Sequence, residues 1–197
     1  DLRVQQLQKK KQQREQLLSN LRRQKHIYAA AIKDLEASSR ELQHLLNTTL
    51  SAQDTIHAGS VPFREMRGLL PWPVEGEVLS PFGRIQNEDL RTYTRHLGLD
   101  IASPAGAEIR VVHDGRVIYS DWFRGYGKLV IIDHGGGYSS IYAHCAEILV
   151  EKGDFTRAGT ILAVVGETGS LKGPFLYFEI RENGQPVDPV VWLQRRM

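Results

Sequence analysis

Cysteine is nearly missing: one thiol, Cys145, in 197 residues cannot form an internal disulfide or a CxxC site. Charge of one sign is also scarce, since 25 Lys plus Arg against 23 Asp plus Glu leave a net charge of +2, too little to call for a nucleic-acid partner. No stretch approaches the roughly 18 to 20 consecutive apolar residues of a membrane span. Glycine and proline, 18 and 8 in all, do not occur in the first 58 residues, so two different structures are joined in one chain. A charged, then apolar, then small-residue leader is lacking too. A helical pattern already runs at residue 2, which reads as a fragment of a longer chain.

What is present in residues 1 to 50 is a charged repeat, with ten basic groups against five acidic ones. Alternating steps of three and four give Val4, Leu7, Lys11, Arg14, Leu18, Leu21, Lys25, Tyr28, Ile32, Leu35, Ser39, Leu42, Leu46 and Thr49. Nine of these fourteen are apolar, a coiled-coil seam with polar interruptions. A helix of this length reaches roughly 75 Å at about 1.5 Å per residue, so its stripe needs a partner helix. The alternatives are a lone solvated basic helix or a nucleic-acid-binding one. Interleaved Gln and the lack of stacking aromatics argue against the latter.

Residues 51 to 69 lose the seam and read as a linker, with a possible short helix after Pro62. From residue 70 to 197 short β-type runs alternate with turns such as Asp114-Gly115, Gly135-Gly136-Gly137 and Asn183-Gly184. The predicted fold class is therefore α plus all-β: a long coiled-coil helix joined to an antiparallel β-sandwich or barrel.

The first candidate for chemistry is His96 with Asp100. In a straight strand their Cα atoms lie about 13 Å apart, whereas two ligands on one zinc approach within about 3 to 3.5 Å. Gly98 supplies the necessary bend. Alone, the pair reads as a surface histidine and a turn aspartate. Cys145, next to His144, reads as a core thiol, and Trp72, Trp122 and Trp192 as packing residues.

The order of motifs over residues 70 to 193 resembles the LytM-like (lysostaphin-type) zinc endopeptidases of peptidoglycan. Leu70-Pro71-Trp72-Pro73-Val74 and Ser80-Pro81-Phe82-Gly83 resemble the opening segment, and His96-Leu97-Gly98-Leu99-Asp100 the first metal motif. Tyr142-Ala143-His144 resembles the strand with a catalytic histidine, and Leu176-Tyr177-Phe178-Glu179-Ile180-Arg181 a closing strand. Active members of that family carry His-x-His just before Phe-Glu. Here the two positions are Phe175 and Tyr177. By the resemblance, two vestigial zinc ligands remain, His96 and Asp100, and a catalytic zinc needs three protein ligands. No cofactor is expected, although His144 offers a makeshift third ligand.

Arm, linker and opening segment together resemble the EnvC-type murein hydrolase activators, which have degenerate LytM domains. That resemblance implies no hydrolytic activity and an exported, periplasmic location. It implies partnership with an N-acetylmuramoyl-L-alanine amidase at division, and an FtsEX-like division complex held by the coiled coil. On this reading His96, Asp100, His144, Phe175 and Tyr177 line the partner groove. Val61, Phe63 and Met66 of the linker are expected to dock there as a lid. The rival readings are an endopeptidase with zinc on His96, Asp100 and His144, and a plain peptidoglycan-binding module.

Overall fold

A computed structural model of the chain describes residues 2–49, 61–87, 92–170 and 172–195. The first element, α1, runs over Leu2–Thr49, a stretch rich in the strong helix formers Leu, Gln, Lys, Arg and Glu and free of Gly and Pro. Two compact units divide the chain at Glu41/Leu42, inside this helix and ahead of the boundary expected near residue 50.

In the first unit, Asp1–Glu41, the seam residues Leu18, Leu21 and Leu35 are 44 to 52% exposed. Val4, Leu7, Tyr28 and Ile32 lie outside the described side chains, and so does Thr49. α1 is the one α-helix among the described residues. Of the linker expected at 51–69, residues 51–60 fall outside them.

The second unit holds twelve strands: β1 (Val78–Ser80), β2 (Gly83–Asn87), β3 (Thr92–His96), β4 (Leu99–Ala102), β5 (Glu108–Arg110), β6 (Gly115–Phe123), β7 (Gly127–Gly135), β8 (Tyr138–Ile148), β9 (Phe155–Thr156), β10 (Ile161–Val165), β11 (Phe175–Glu182) and β12 (Gln185–Val187). Ten form one antiparallel sheet with the path β1-β4-β11-β8-β7-β6-β9, to which β12 adds at β11 and the β5–β10 pair at β8. The remaining two, β2 and β3, form a separate hairpin. The antiparallel all-β class expected for this unit is what the strands form, as one branched sheet and a separate hairpin.

The branch point is His144. Through Ala143, opposite Tyr177, β8 pairs with β11; from Cys145, opposite Val165, it pairs with β10. Between them His144 has φ 63°, a left-handed value uncommon for a residue with a Cβ. This kink lets one strand serve two neighbours.

Alternate residues of the central strands face opposite sides. On β11, Leu176, Phe178 and Ile180 join one buried cluster with Val130, Tyr142 and Leu162. Phe175 and Tyr177 join a second with Ile131, Ile141 and Ala143 on the other face. Leu42 and Leu46, four residues apart on α1 and both 0% exposed, complete the second cluster. Fully burying a leucine contributes about 1.5–3 kcal/mol, so these two fasten the helix end to this face of the sheet.

Candidate functional site

The five residues expected to line a groove come from three strands and the hairpin next to them. Register brings Tyr177 opposite Asp100 of β4 on one side and Ala143 of β8 on the other. His96 ends β3, and its ring meets Tyr177 edge-on with centroids 5.7 Å apart. His144 lies against Phe175 at 4.7 Å and Tyr177 at 6.4 Å. All five thus meet at one end of the face that carries Phe175 and Tyr177.

Gly98 enables the approach of His96 to Asp100. A Cβ there would fall 2.4 Å from the carbonyl oxygen of Phe178, so only glycine lets the chain turn against β11. The result is a contact of 3.1 Å between His96 Nε2 and Asp100 Oδ1. His96 Nδ1 lies 3.1 Å from the carbonyl oxygen of Pro81, which can only accept. Burial pulls the His96 pKa down, but the hydrogen bond and charge of Asp100 outweigh it and leave the pKa above the ordinary 6.5. Burial likewise pushes Asp100 up, and His96, Ser80 and Lys172 together bring it below its usual value. Lys172 Nζ stands 3.4 Å from the other carboxylate oxygen.

His144 is shifted the other way. Burial lowers its pKa, against the hydrogen bond to the carbonyl of Thr168, 2.8 Å from Nδ1. The Nδ1–H donates there, leaving Nε2 as the unprotonated nitrogen.

Does this donor set fit zinc? Asp100 already meets an imidazole N–H and an ammonium, and both nitrogens of His96 face acceptors. Phe175 offers no ligand atom. The Tyr177 hydroxyl donates to Glu179 Oε2 at 2.8 Å, and burial beside that carboxylate drives its pKa well above 10. Among the described residues no three His, Cys, Asp or Glu cluster closely enough to hold a metal. The residues do not fit a catalytic zinc, which needs three ligands with free lone pairs.

Beyond Tyr177 the same face of β11 carries Glu179 and Arg181, both 0% exposed. Arg181 Nε donates to Glu179 Oε1 at 2.7 Å, and Arg181 Nη1 donates to Gln43 Oε1 on α1 at 2.6 Å. Gln43 Nε2 donates in turn to Asn47 Oδ1 at 2.9 Å. A continuous polar row therefore links the aromatic floor to the helix end. Sequence reasoning missed Leu42, Gln43, Leu46, Glu179 and Arg181. The period-two spacing Tyr177, Glu179, Arg181 was the available signal.

The lid expectation requires correction. Phe63, which opens the 3-10 helix Phe63–Met66, is buried in the opposite cluster, its ring 4.7 Å from that of His134 and 5.0 Å from that of Tyr138. Met66 packs against that same cluster. Val61 is exposed, and its carbonyl accepts from His113 Nε2 at 2.9 Å. An aromatic socket on the far side of the sheet takes this segment away from Phe175 and Tyr177.

This fold, with the His96–Asp100 pair at the end of the sheet, is that of a peptidase-type β domain. Residues 94–189 match Peptidase family M23, and the chain carries an M23 domain. It is 43% identical over 129 residues to the murein hydrolase activator EnvC of Escherichia coli, covering 66% of this chain and 30% of that protein. It is 39% identical over 113 residues to the DD-carboxypeptidase/endopeptidase Mpg of Neisseria meningitidis, covering 57% and 26%. A zinc-containing peptidase of Vibrio cholerae superposes with a TM-score of 0.58 at 31% identity, over 63% of this chain and 40% of that one. The chain spans less than a third of the length of these curated relatives.

Proposed function

We propose that this chain is a non-catalytic activator of a peptidoglycan amidase, acting in cell-wall cleavage during division. The observation that carries the reading is the state of Tyr177: where a zinc peptidase of this type needs an imidazole, a buried phenol is committed to Glu179. Likeness to EnvC, an activator by name, supports the same direction. The groove formed by His96, Asp100, His144, Phe175 and Tyr177 is the surface offered to the amidase. Aromatic side chains beside a few polar groups suit the centre of a protein interface.

In the described state Leu42 and Leu46 sit on the face that carries Phe175 and Tyr177. We read the helix end, not the linker, as the removable cover. Withdrawal of α1 bares the face, and a coiled-coil arm engaged by an FtsEX-like division complex supplies the pull. The setting is the periplasm. No helix among the described residues is long and apolar enough to cross a membrane.

Release of dye from labelled peptidoglycan by a purified N-acetylmuramoyl-L-alanine amidase tests the reading. The chain alone is expected to release nothing and to increase release by the amidase. Tyr177→Ala or His144→Ala should reduce that increase while circular dichroism stays unchanged. Chelator-sensitive release by the chain alone would overturn the reading in favour of the endopeptidase, and binding to the wall without stimulation would favour the plain binding module.

A further inference from the structure

The Asp100 side chain is 5% exposed, and a carboxylate so placed needs positive charge close by. In a zinc site the metal supplies that charge. Here the two carboxylate oxygens are divided between side chains of the protein. His96 Nε2 meets Oδ1 at 3.1 Å, and Lys172 Nζ stands 3.4 Å from Oδ2.

The ammonium comes from a braced turn. Ser170 Oγ accepts from the Lys172 amide at 3.0 Å and donates to the Gly173 carbonyl at 3.1 Å. Thr168 Oγ1 accepts from the Lys128 amide at 2.9 Å and donates to the Cys145 carbonyl at 2.8 Å. Glycines let the two segments touch: a Cβ on Gly127 would fall 2.1 Å from the Thr168 carbonyl oxygen, and one on Gly169 would fall 2.7 Å from the Gly127 nitrogen. The Thr168 carbonyl in turn accepts from His144 Nδ1. His144 is therefore tied to the turn that brings Lys172, and burial, with the Lys172 charge adding to it, lowers the His144 pKa.

A divalent cation bridging Asp100 Oδ2 and His144 Nε2 must expel the ammonium or stand beside it. Like charges at such distances repel strongly in a partly buried site. Resting on the non-catalytic reading above, we propose that Lys172 is a tethered stand-in for the metal. Its ammonium neutralises Asp100 and repels divalent cations from His96, Asp100 and His144. This goes beyond the substitution at Tyr177, because loss of a ligand only weakens a metal site, whereas a resident cation closes it. Three side chains able to ligate zinc can then share one groove without collecting the metal.

Zinc titration of the full chain against a chromogenic chelator tests the proposal. The Lys172 side chain is 67% exposed, so its substitution leaves the core intact. Lys172→Met keeps the length of the side chain and removes its charge, and should tighten zinc binding at least about fivefold. Lys172→Arg, which keeps the charge, should stay within about twofold of the wild type. In an Asp100→Asn chain the gain from Lys172→Met should shrink below about twofold, which ties the effect to this carboxylate. Equal affinity of Lys172→Met and wild type, binding detectable in neither, or an undiminished gain in the Asp100→Asn chain would each overturn the proposal and leave the activator reading standing. Tight, stoichiometric zinc in the wild type would overturn both.

Discussion

The hydroxyl of Tyr177 donates to Glu179 two residues further along the same face of β11, with 2.8 Å between the oxygens. Glu179 is fully buried, so each of its oxygens needs a donor, and Arg181 supplies the second. Removing the phenol oxygen leaves a carboxylate oxygen unmatched. Tyr177→Phe should therefore destabilise the domain by about 1–3 kcal/mol in urea denaturation, although it adds no strain and removes one atom. A loss below about 0.5 kcal/mol would show that water replaces the phenol.

Metal analysis separates the two readings of the site. Purified wild-type chain should carry well under one zinc per molecule. Phe175→His combined with Tyr177→His should raise zinc affinity at least about tenfold in a chelator competition, by adding an imidazole that points towards Asp100. One tightly held zinc in the wild type would return the domain to the peptidases.

Two histidines give the domain pH dependences of opposite sign. His96 has a raised pKa, so its contribution is complete below about 6.5 and is lost as pH rises through the higher folded value. Asp100 has a lowered pKa, so its share is complete above its ordinary value of 3.8 and is lost as pH falls through the lower folded one. His134 is buried without charge. Its Nδ1 donates to the Asp114 carbonyl at 2.8 Å, Nε2 faces the Ser140 hydroxyl at 2.7 Å, and burial brings its pKa down to about 3. Unfolding lets it take up a proton, so it destabilises the fold as pH falls from about 6.5 towards 3, by at most about 1.4 kcal/mol per pH unit. His134→Gln should flatten the acid side of the stability profile, and His96→Gln the side above pH 6.5. A profile unchanged by either substitution would contradict these assignments.

Much of the site was legible in the sequence because it depends on local rules. The period of two put Phe175 and Tyr177 on one face, and Gly98 between His96 and Asp100 announced the bend that joins them. What escaped was set by long-range packing. Leu42 and Leu46 satisfied the seam, and nothing in a seam tells a helix partner from a sheet face. Its apolar side chain makes Phe63 a candidate for the groove. Apolarity alone does not choose between the two faces of a sheet, and stacking on His134 and Tyr138 decided it. The kink at His144 lacked a glycine to mark it.

The two leucine sets of α1 predict separable defects. Leu42 and Leu46 are wholly buried on the sheet, whereas Leu18, Leu21 and Leu35 stand in solvent. Leu46→Ser should therefore loosen the helix end and raise amidase stimulation. Burial of one leucine is worth about 1.5–3 kcal/mol, enough to increase the uncovered fraction roughly tenfold or more while that state stays rare. Phe63→Ala, on the opposite face, should instead cost about 3–5 kcal/mol of domain stability without raising stimulation. Leu18→Asp with Leu35→Asp should leave stimulation by the isolated chain unchanged, because neither residue belongs to the β unit. That pair should abolish any pairing of the arm with a second helix, measured by sedimentation. Equal stimulation by Leu46→Ser and the wild type would show that the helix end does not gate the groove. A rise with Phe63→Ala would restore the linker as its cover.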